Sequence, residues 1–210
     1  MSDIKIGRMA VGIYSTNCYF LYREGTKEAI VFDAPDQGAM IAQTLKKNGI
    51  SVAALMLTHG HFDHILGASE LRSATSAKIY ALDKEQAVLE DSTINMSAQM
   101  GRPATVKVNK YLSDGEEIEL ADIKIKVIAT PGHTVGSCCF YCEEAGMLIA
   151  GDTVFFESVG RSDFPTGDGA QLERSAKEKL FVLPDETKVY PGHGDDTTIG
   201  HEKKYNPFLV

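Results

Sequence analysis

Five of the six histidines in this 210-residue chain fall in three short segments. The first is Thr58-His59-Gly60-His61-Phe62-Asp63-His64. The second is Thr130-Pro131-Gly132-His133-Thr134, and the third Tyr190-Pro191-Gly192-His193-Gly194. A fourth segment, Ala150-Gly151-Asp152-Thr153, adds a carboxylate. Imidazole nitrogen with carboxylate oxygen is a donor set for Zn²⁺, with Fe or Mn as alternatives. Residues two apart in extended chain point the same way, so His59 and His61 can grip one metal together. Asp63 and His64 lie where the chain turns into a helix and can diverge to a second metal. His201, the remaining histidine, reads as a surface or carboxy-terminal helix residue.

Each segment ends an apolar, strand-like run, where a rigid scaffold presents functional groups on a loop. Residues 52–57 form a continuous apolar run, as expected of a buried central strand. Residues 4–14, 18–23 and 29–32 read as earlier strands. A helix over 37–47 follows, with Asp36 as N-cap, an apolar stripe of Met40, Ile41, Thr44 and Leu45, and Gly49 at its end. The pattern predicts a helix over 64–73, a strand over 78–81 and a helix over 83–89. Residues 91–106 have weak periodicity and read equally as a lid or a surface connection. Strands over 118–120, 123–128, 138–141, 147–150 and 188–190, with a helix over 170–180, complete the pattern. Clusters of strands followed by helices suggest two packed sheets with helices outside.

Composition narrows the partners. With 43% hydrophobic and 24% charged residues, the chain is an ordinary globular sequence, expected as one domain over 1–210. No apolar run approaches the roughly 20 residues that span a bilayer. The start, Met1-Ser2-Asp3-Ile4-Lys5-Ile6, lacks the basic and apolar regions of a secretory leader. The expected location is therefore the cytoplasm, with no membrane partner. A net charge of −8 and no Lys/Arg-rich block argue against nucleic acid and for a small-molecule substrate. Cys139 and Cys142 form a C-x-x-C, but they lie in a strand-like run with no second such pair. Buried structural thiols are the expectation.

The run from Thr58 to His64, His133 after Pro-Gly, Asp152 in Gly-Asp-Thr and His193 in Pro-Gly-His resemble the metallo-β-lactamase superfamily. The similarity spans nearly the whole chain. It is nearest to the glyoxalase II-like, or hydroxyacylglutathione hydrolase-like, branch. Thr16-Asn17-Cys18-Tyr19, Ser158-Val159-Gly160-Arg161-Ser162-Asp163 and Asn206-Pro207-Phe208 support that branch. The resemblance implies an α/β fold, the αβ/βα four-layer sandwich. It implies that His59, His61 and His133 bind one Zn²⁺, that Asp63, His64 and His193 bind a second, and that Asp152 bridges both. It further implies hydrolysis by a hydroxide between the metals, with Asp63 holding the nucleophile, and a thioester as substrate.

Glyoxalase II carries a helical carboxy-terminal domain and a tyrosine after its last histidine ligand. Here Gly194-Asp195-Asp196 follows His193 and the chain ends at Val210. The expectation is therefore a smaller or different thioester. Arg161, with Phe155, Phe156 and Phe164, is the candidate pocket lining, set against a purely structural ion pair for Arg161. Two rivals share the resemblance. A persulfide dioxygenase would use one iron, and a lactonase would need a tyrosine acid.

Overall fold

The computed structural model describes residues 3–210. Met1 and Ser2, which open the stretch read above for a leader, lie outside the described residues. The chain begins with a meander of β1 (Ile4–Val11), β2 (Thr16–Arg23) and β3 (Glu28–Phe32). The strand expected over 4–14 stops at Val11. Gly12 and Ser15 turn at φ 78° and 52°, and the Ser15 N–H closes the reversal on the Gly12 carbonyl at 3.2 Å.

Helix α1 (Gly38–Lys47) leads into β4 (Ser51–Met56). Its N-cap corrects the expectation: Gln37, not Asp36, occupies that position, without a side-chain cap bond. The Asp36 carboxylate instead accepts from the Gln37 N–H and from both terminal nitrogens of Arg102. Ile41 and Leu45 are buried as expected, but Met40 is exposed and Ala42 takes the inward place.

The single helix expected over 64–73 is two, α2 (Phe62–Ile65) and α3 (Ala68–Thr75). The chain is broken at Gly67, which packs against the start of α1. A Cβ on Gly38 would lie 1.9 Å from the Gly67 carbonyl oxygen, so this approach admits only glycine. Strand β5 (Lys78–Leu82), a 3₁₀ turn at Asp83–Glu85, α4 (Gln86–Glu90) and β6 (Lys110–Leu112) complete the first half. Between α4 and β6, residues 91–106 form no helix or strand yet are tied down. The Asn95 carbonyl accepts from the Phe62 N–H at 3.0 Å, and Asn95 Nδ2 donates to the Ala104 carbonyl at 2.9 Å.

The second half holds β7 (Glu117–Leu120), β8 (Ile123–Ala129), β9 (Cys138–Cys142) and β10 (Met147–Gly151). A small hairpin, β11 (Val154–Phe155) with β12 (Ser158–Val159), precedes α5 (Gly169–Ser175). The helix expected over 170–180 ends at Ser175 and loosens into a π-turn over Ala176–Leu180. Strand β13 (Lys188–Pro191), β14 (Thr197–Thr198) and α6 (Ile199–Tyr205) follow.

Two sheets result, ordered β1-β2-β3-β4-β5-β6 and β14-β13-β10-β9-β8-β7. Pairing is antiparallel from β1 to β3 and from β7 to β10, and parallel from β3 to β6 and between β10 and β13. Side chains alternate along each strand and so divide between two layers of core. Leu21, Ile30, Phe32 and Met56 of one sheet meet Ile125, Val127, Phe140 and Ile149 of the other. On the outer faces, Leu55 and Leu57 pack with Ile41, Leu45 and Leu71, while Leu148 and Val189 pack with Ala176, Leu180 and Ile199. This is the expected αβ/βα sandwich.

The four cysteines are free and buried. Cys138 and Cys142 face the other sheet and Cys139 faces the helices, as the strand pattern requires. No helix among the described residues is long and apolar enough to cross a membrane.

Candidate metal centre

The functional side chains sit just past the carboxy ends of β4, β8, β10 and β13, so both sheets contribute to one edge of the sandwich. His59 and His61 follow β4, and α2 starts at Phe62 to carry Asp63 and His64. His133, Asp152 and His193 follow β8, β10 and β13. The last approach is close. A Cβ on Gly192 would stand 2.2 Å from Asp152 Oδ1 and 2.7 Å from the His64 ring, so no other residue fits beside His193.

The structure brings all seven candidates together, in sets whose donor atoms lie within 4.8 Å of one another. One set is His59, His61 and His133; another is Asp63, His64 and His193; a third joins His59 and His64 to Asp152. His133 Nε2 lies 2.8 Å from His61 Nδ1 and 3.1 Å from His59 Nε2. His193 Nε2 lies 3.2 Å from Asp63 Oδ2. Asp152 stands between the sets, with Oδ1 3.3 Å from His64 Nε2 and Oδ2 3.6 Å from both His133 Nε2 and His193 Nε2.

The outer partners of the rings decide which nitrogens carry protons. His133 Nδ1 can only donate to the Arg161 carbonyl, at 2.6 Å, which leaves Nε2 with a lone pair. Thr58 Oγ1 gives its proton to Asp33 Oδ2, so it accepts from His59 Nδ1 at 3.1 Å, and His59 Nε2 is also a lone pair. His64 Nδ1 donates to Asp33 Oδ2 at 2.8 Å, and its Nε2 faces Asp152 Oδ1 without a hydrogen bond. The lone pairs of His59 Nε2 and His133 Nε2 thus point at one another in a buried space, and His61 Nε2, His64 Nε2 and Asp152 Oδ1 are buried without hydrogen-bond partners. Such contacts repel unless a cation lies among them. A tetrahedral zinc with nitrogen ligands at 2.0–2.1 Å spaces them about 3.3 Å apart, close to the separations found here. The residues fit metal ions.

The charge states agree. Burial, with the neighbouring imidazoles, drives His59 far below the usual histidine range and holds it neutral. Burial likewise pushes His61 down to about 3 and lowers His133. Burial opposes a charge on His64, but Asp152 and Asp33 outweigh it and raise its pKa, so the contact of Nε2 with Asp152 calls for positive charge, from a proton or from a metal ion. Burial opposes the Asp152 charge too, and His64 outweighs it, keeping the carboxylate ionised. Asp63 is also held low: burial resists, and the His193 hydrogen bond prevails.

Two supporting carboxylates escaped the sequence reading. Asp33, just past β3, fixes Thr58 through its N–H and hydroxyl and His64 through Nδ1. Glu85 is fully buried behind the first histidine loop. It accepts from the Gly60 N–H at 2.7 Å, the Gly136 N–H at 2.9 Å and the Thr134 hydroxyl at 2.9 Å. It therefore ties the loop holding His59 and His61 to the loop holding His133.

Arg161 lies close to the centre and makes the ion pair that was one of its two expected roles. Its carbonyl orients His133, while its exposed guanidinium pairs with Asp163 at 2.7 Å and lies 4.1 Å over the Phe164 ring. Phe164 in turn meets His61 edge-on at 5.4 Å, and Phe155 meets His193 at 6.0 Å. Phe156 turns away and stacks on His201, which sits on α6 and faces Glu157 at 3.0 Å.

The chain as a whole is similar to known proteins. Residues 11–193 match the family model of the metallo-beta-lactamase superfamily. The hydroxyacylglutathione hydrolase GloC of Haemophilus influenzae is 31% identical, over 95% of this chain and 95% of that protein. The crystal structure of the BLEG-1 B3 metallo-beta-lactamase superposes with a TM-score of 0.93 at 36% identity, covering 98% of this chain and all 100% of that one. The crystal structure of TTHA1623 in a di-iron-bound form gives a TM-score of 0.86 at 30% identity, covering 97% and 100%. With its strand-end histidines, its sandwich and these likenesses in agreement, the chain belongs to the metallo-beta-lactamase superfamily and is a metal-dependent hydrolase.

Proposed function

We propose that the chain hydrolyses thioesters of small molecules, using two metal ions, with zinc as first choice and iron or manganese as alternatives. The observation that carries this is the position of Asp152, one carboxylate reaching toward both the His133 set and the His64–His193 set. His59, His61 and His133 would hold one ion, Asp63, His64 and His193 the other, and Asp152 both. Bound there, the pair supplies Lewis-acid chemistry, lowering the pKa of water toward 7 and polarising a carbonyl.

The chain's own residues do the rest. Asp63 stays ionised, and its Oδ2 is flanked by His193 Nε2 at 3.2 Å and the Thr16 hydroxyl at 3.4 Å. It is placed to orient the attacking water and hold the proton that the water gives up. The water oxygen bonds to the acyl carbon, the C–S bond breaks, and the sulfur leaves with the electron pair. A thiol with a pKa of about 8.5 leaves without a dedicated proton donor, whereas an alkoxide would need one. The name of the GloC relative supports the thioester reading, and the di-iron form of TTHA1623 supports two metals. Arg161, over the Phe164 ring that itself meets His61 edge-on, is our candidate contact for the thiol portion.

Metal analysis of the purified protein joined to a hydrolysis screen tests the reading. Two metals per chain and thioesterase activity lost on chelation support it. One bound iron with oxygen uptake and no hydrolysis overturns it in favour of the dioxygenase. Turnover of lactones alone makes the chain a lactonase.

A further inference from the structure

Beside Asp63 lies a cleft of about 170 Å³ that the chemistry above does not use. One wall comes from the β1–β2 turn, with Ile13 and Tyr14. The floor is Phe62 and Leu66, and the far wall is Met100 from the connection over 91–106. The walls meet across the cleft: the Tyr14 ring stands edge-on to Phe62 at 5.4 Å, and its hydroxyl lies 4.0 Å from Met100 Sδ. Ile13 is 83% exposed and Tyr14 48%, so apolar surface stands open on this wall of the cleft.

The two ends of the cleft differ. Asp63 and Thr16 form the inner end, part of the metal centre. At the outer end stands Arg102, whose two terminal nitrogens are already taken by Asp36 at 2.7 and 2.9 Å. A cation so neutralised offers little to an anionic tail, which would compete with Asp36. The occupant is therefore apolar and uncharged along its length, with its reactive end at Asp63. An engineered apolar cavity of about 150 Å³ takes a benzene, which sets the scale at about six carbon atoms.

We propose that this cleft seats the acyl chain of the substrate, and that the preferred substrates are thioesters of straight acyl groups of about six carbons. This rests on the thioesterase reading above. Each methylene that moves from water into such a cleft is worth about a fourfold gain in kcat/KM. Acyl groups longer than the cleft gain nothing further.

The test uses the metal-loaded full chain and N-acetylcysteamine thioesters from acetyl to decanoyl. The kcat/KM should climb on the order of a hundredfold from acetyl to hexanoyl and then level. Ile13→Asp, an exposed position, should cut the hexanoyl-to-acetyl ratio about tenfold, and Met100→Glu from the opposite wall should do the same. A second measurement follows the methyl signal of Met100 by NMR as hexanamide is added, with a saturable shift expected that Ile13→Asp abolishes. Hydrolysis that is flat across the series, or ratios unmoved by both variants, overturns the cleft proposal and leaves the thioesterase reading standing. A saturable Met100 shift without any hydrolysis overturns the thioesterase reading and with it the acyl-chain proposal, leaving a cleft that binds apolar chains without turning them over. Neither hydrolysis nor a shift overturns both.

Discussion

The metal centre and the cleft touch at Asp63, yet they are built by opposite means. In the centre, His59, His61, His64 and His133 are buried, and their orientation is set by hydrogen bonds or ring contacts to groups that are themselves fixed. In the cleft, Ile13, Tyr14 and Met100 are exposed and meet through a ring edge and a thioether. Bond making needs donors held to fractions of an ångström, whereas an apolar chain needs only surface to lie against. The difference teaches where the chain tolerates change: in the cleft freely, in the centre hardly at all.

The largest effect should come from striking the centre. His59→Ala removes a donor common to two of the sets, and we expect turnover to fall at least about 10³-fold, the scale on which hydrolases lose a key electrostatic group. Elemental analysis alongside kinetics checks it; full metal content with near-normal turnover would show that the centre is less demanding than its burial implies. A smaller loss is expected one layer out. Asp33→Asn keeps the shape but weakens its hold on Thr58 and His64, and metal affinity should drop 10–100-fold, read by competition with a chelator. An unchanged affinity would mean that the ligands need no such support.

Glu85 gives a prediction in pH. Burial pushes its carboxyl up to about 8, above the value of about 4.3 in an unfolded chain, although Thr134, Gly60 and Gly136 pull the other way. Between these two values the folded chain binds a proton that the unfolded chain lacks. Its contribution therefore makes stability fall as pH rises through that window. Glu85→Gln should remove that slope, seen as a flatter urea midpoint from pH 5 to 8 than in the parent chain. Parallel curves for the two would refute it. Smallest of all, Ile13→Asp should leave unfolding free energy within about 0.5 kcal/mol, since a surface position away from special contacts contributes little. A larger loss would make the cleft wall part of the fold.

The sequence disclosed the centre because its donors are concentrated: four of them lie within six consecutive residues, and the others follow Pro-Gly or Gly at strand ends. Asp33 and Glu85 were illegible for the converse reason. Each is a lone carboxylate whose partners stand far along the chain, Asp33 from Thr58 and Glu85 from Gly136, and only the sheet order unites them. Two packed sheets with helices outside were legible in the clusters of strand-like runs, while the αβ/βα sandwich itself came from the resemblance carried by the histidine motifs. The division of the expected helix over 64–73 was not, because the cause is the contact of Gly67 with Gly38 on a different helix. Arg161 shows a further limit. Its residue type drew notice to the guanidinium, while the atom that serves the centre is its carbonyl, which every residue possesses.

The spread of donors over both sheets has a mechanical consequence. His59, His61, Asp63 and His64 belong to the first half of the chain, and His133, Asp152 and His193 to the second. Ions held by all seven would clasp the open edge of the sandwich, as a rivet joins two plates. Such a rivet strengthens the assembly by mass action, about 2.7 kcal/mol when free metal stands at 100 times its dissociation constant. A cell that starves this protein of metal would then lose more than a reaction. It would be left with two plates held by their apolar faces and by the few hydrogen bonds that cross between them, such as those of Glu85 and Asn17, and with a protein whose lifetime against proteolysis tracks the metal supply.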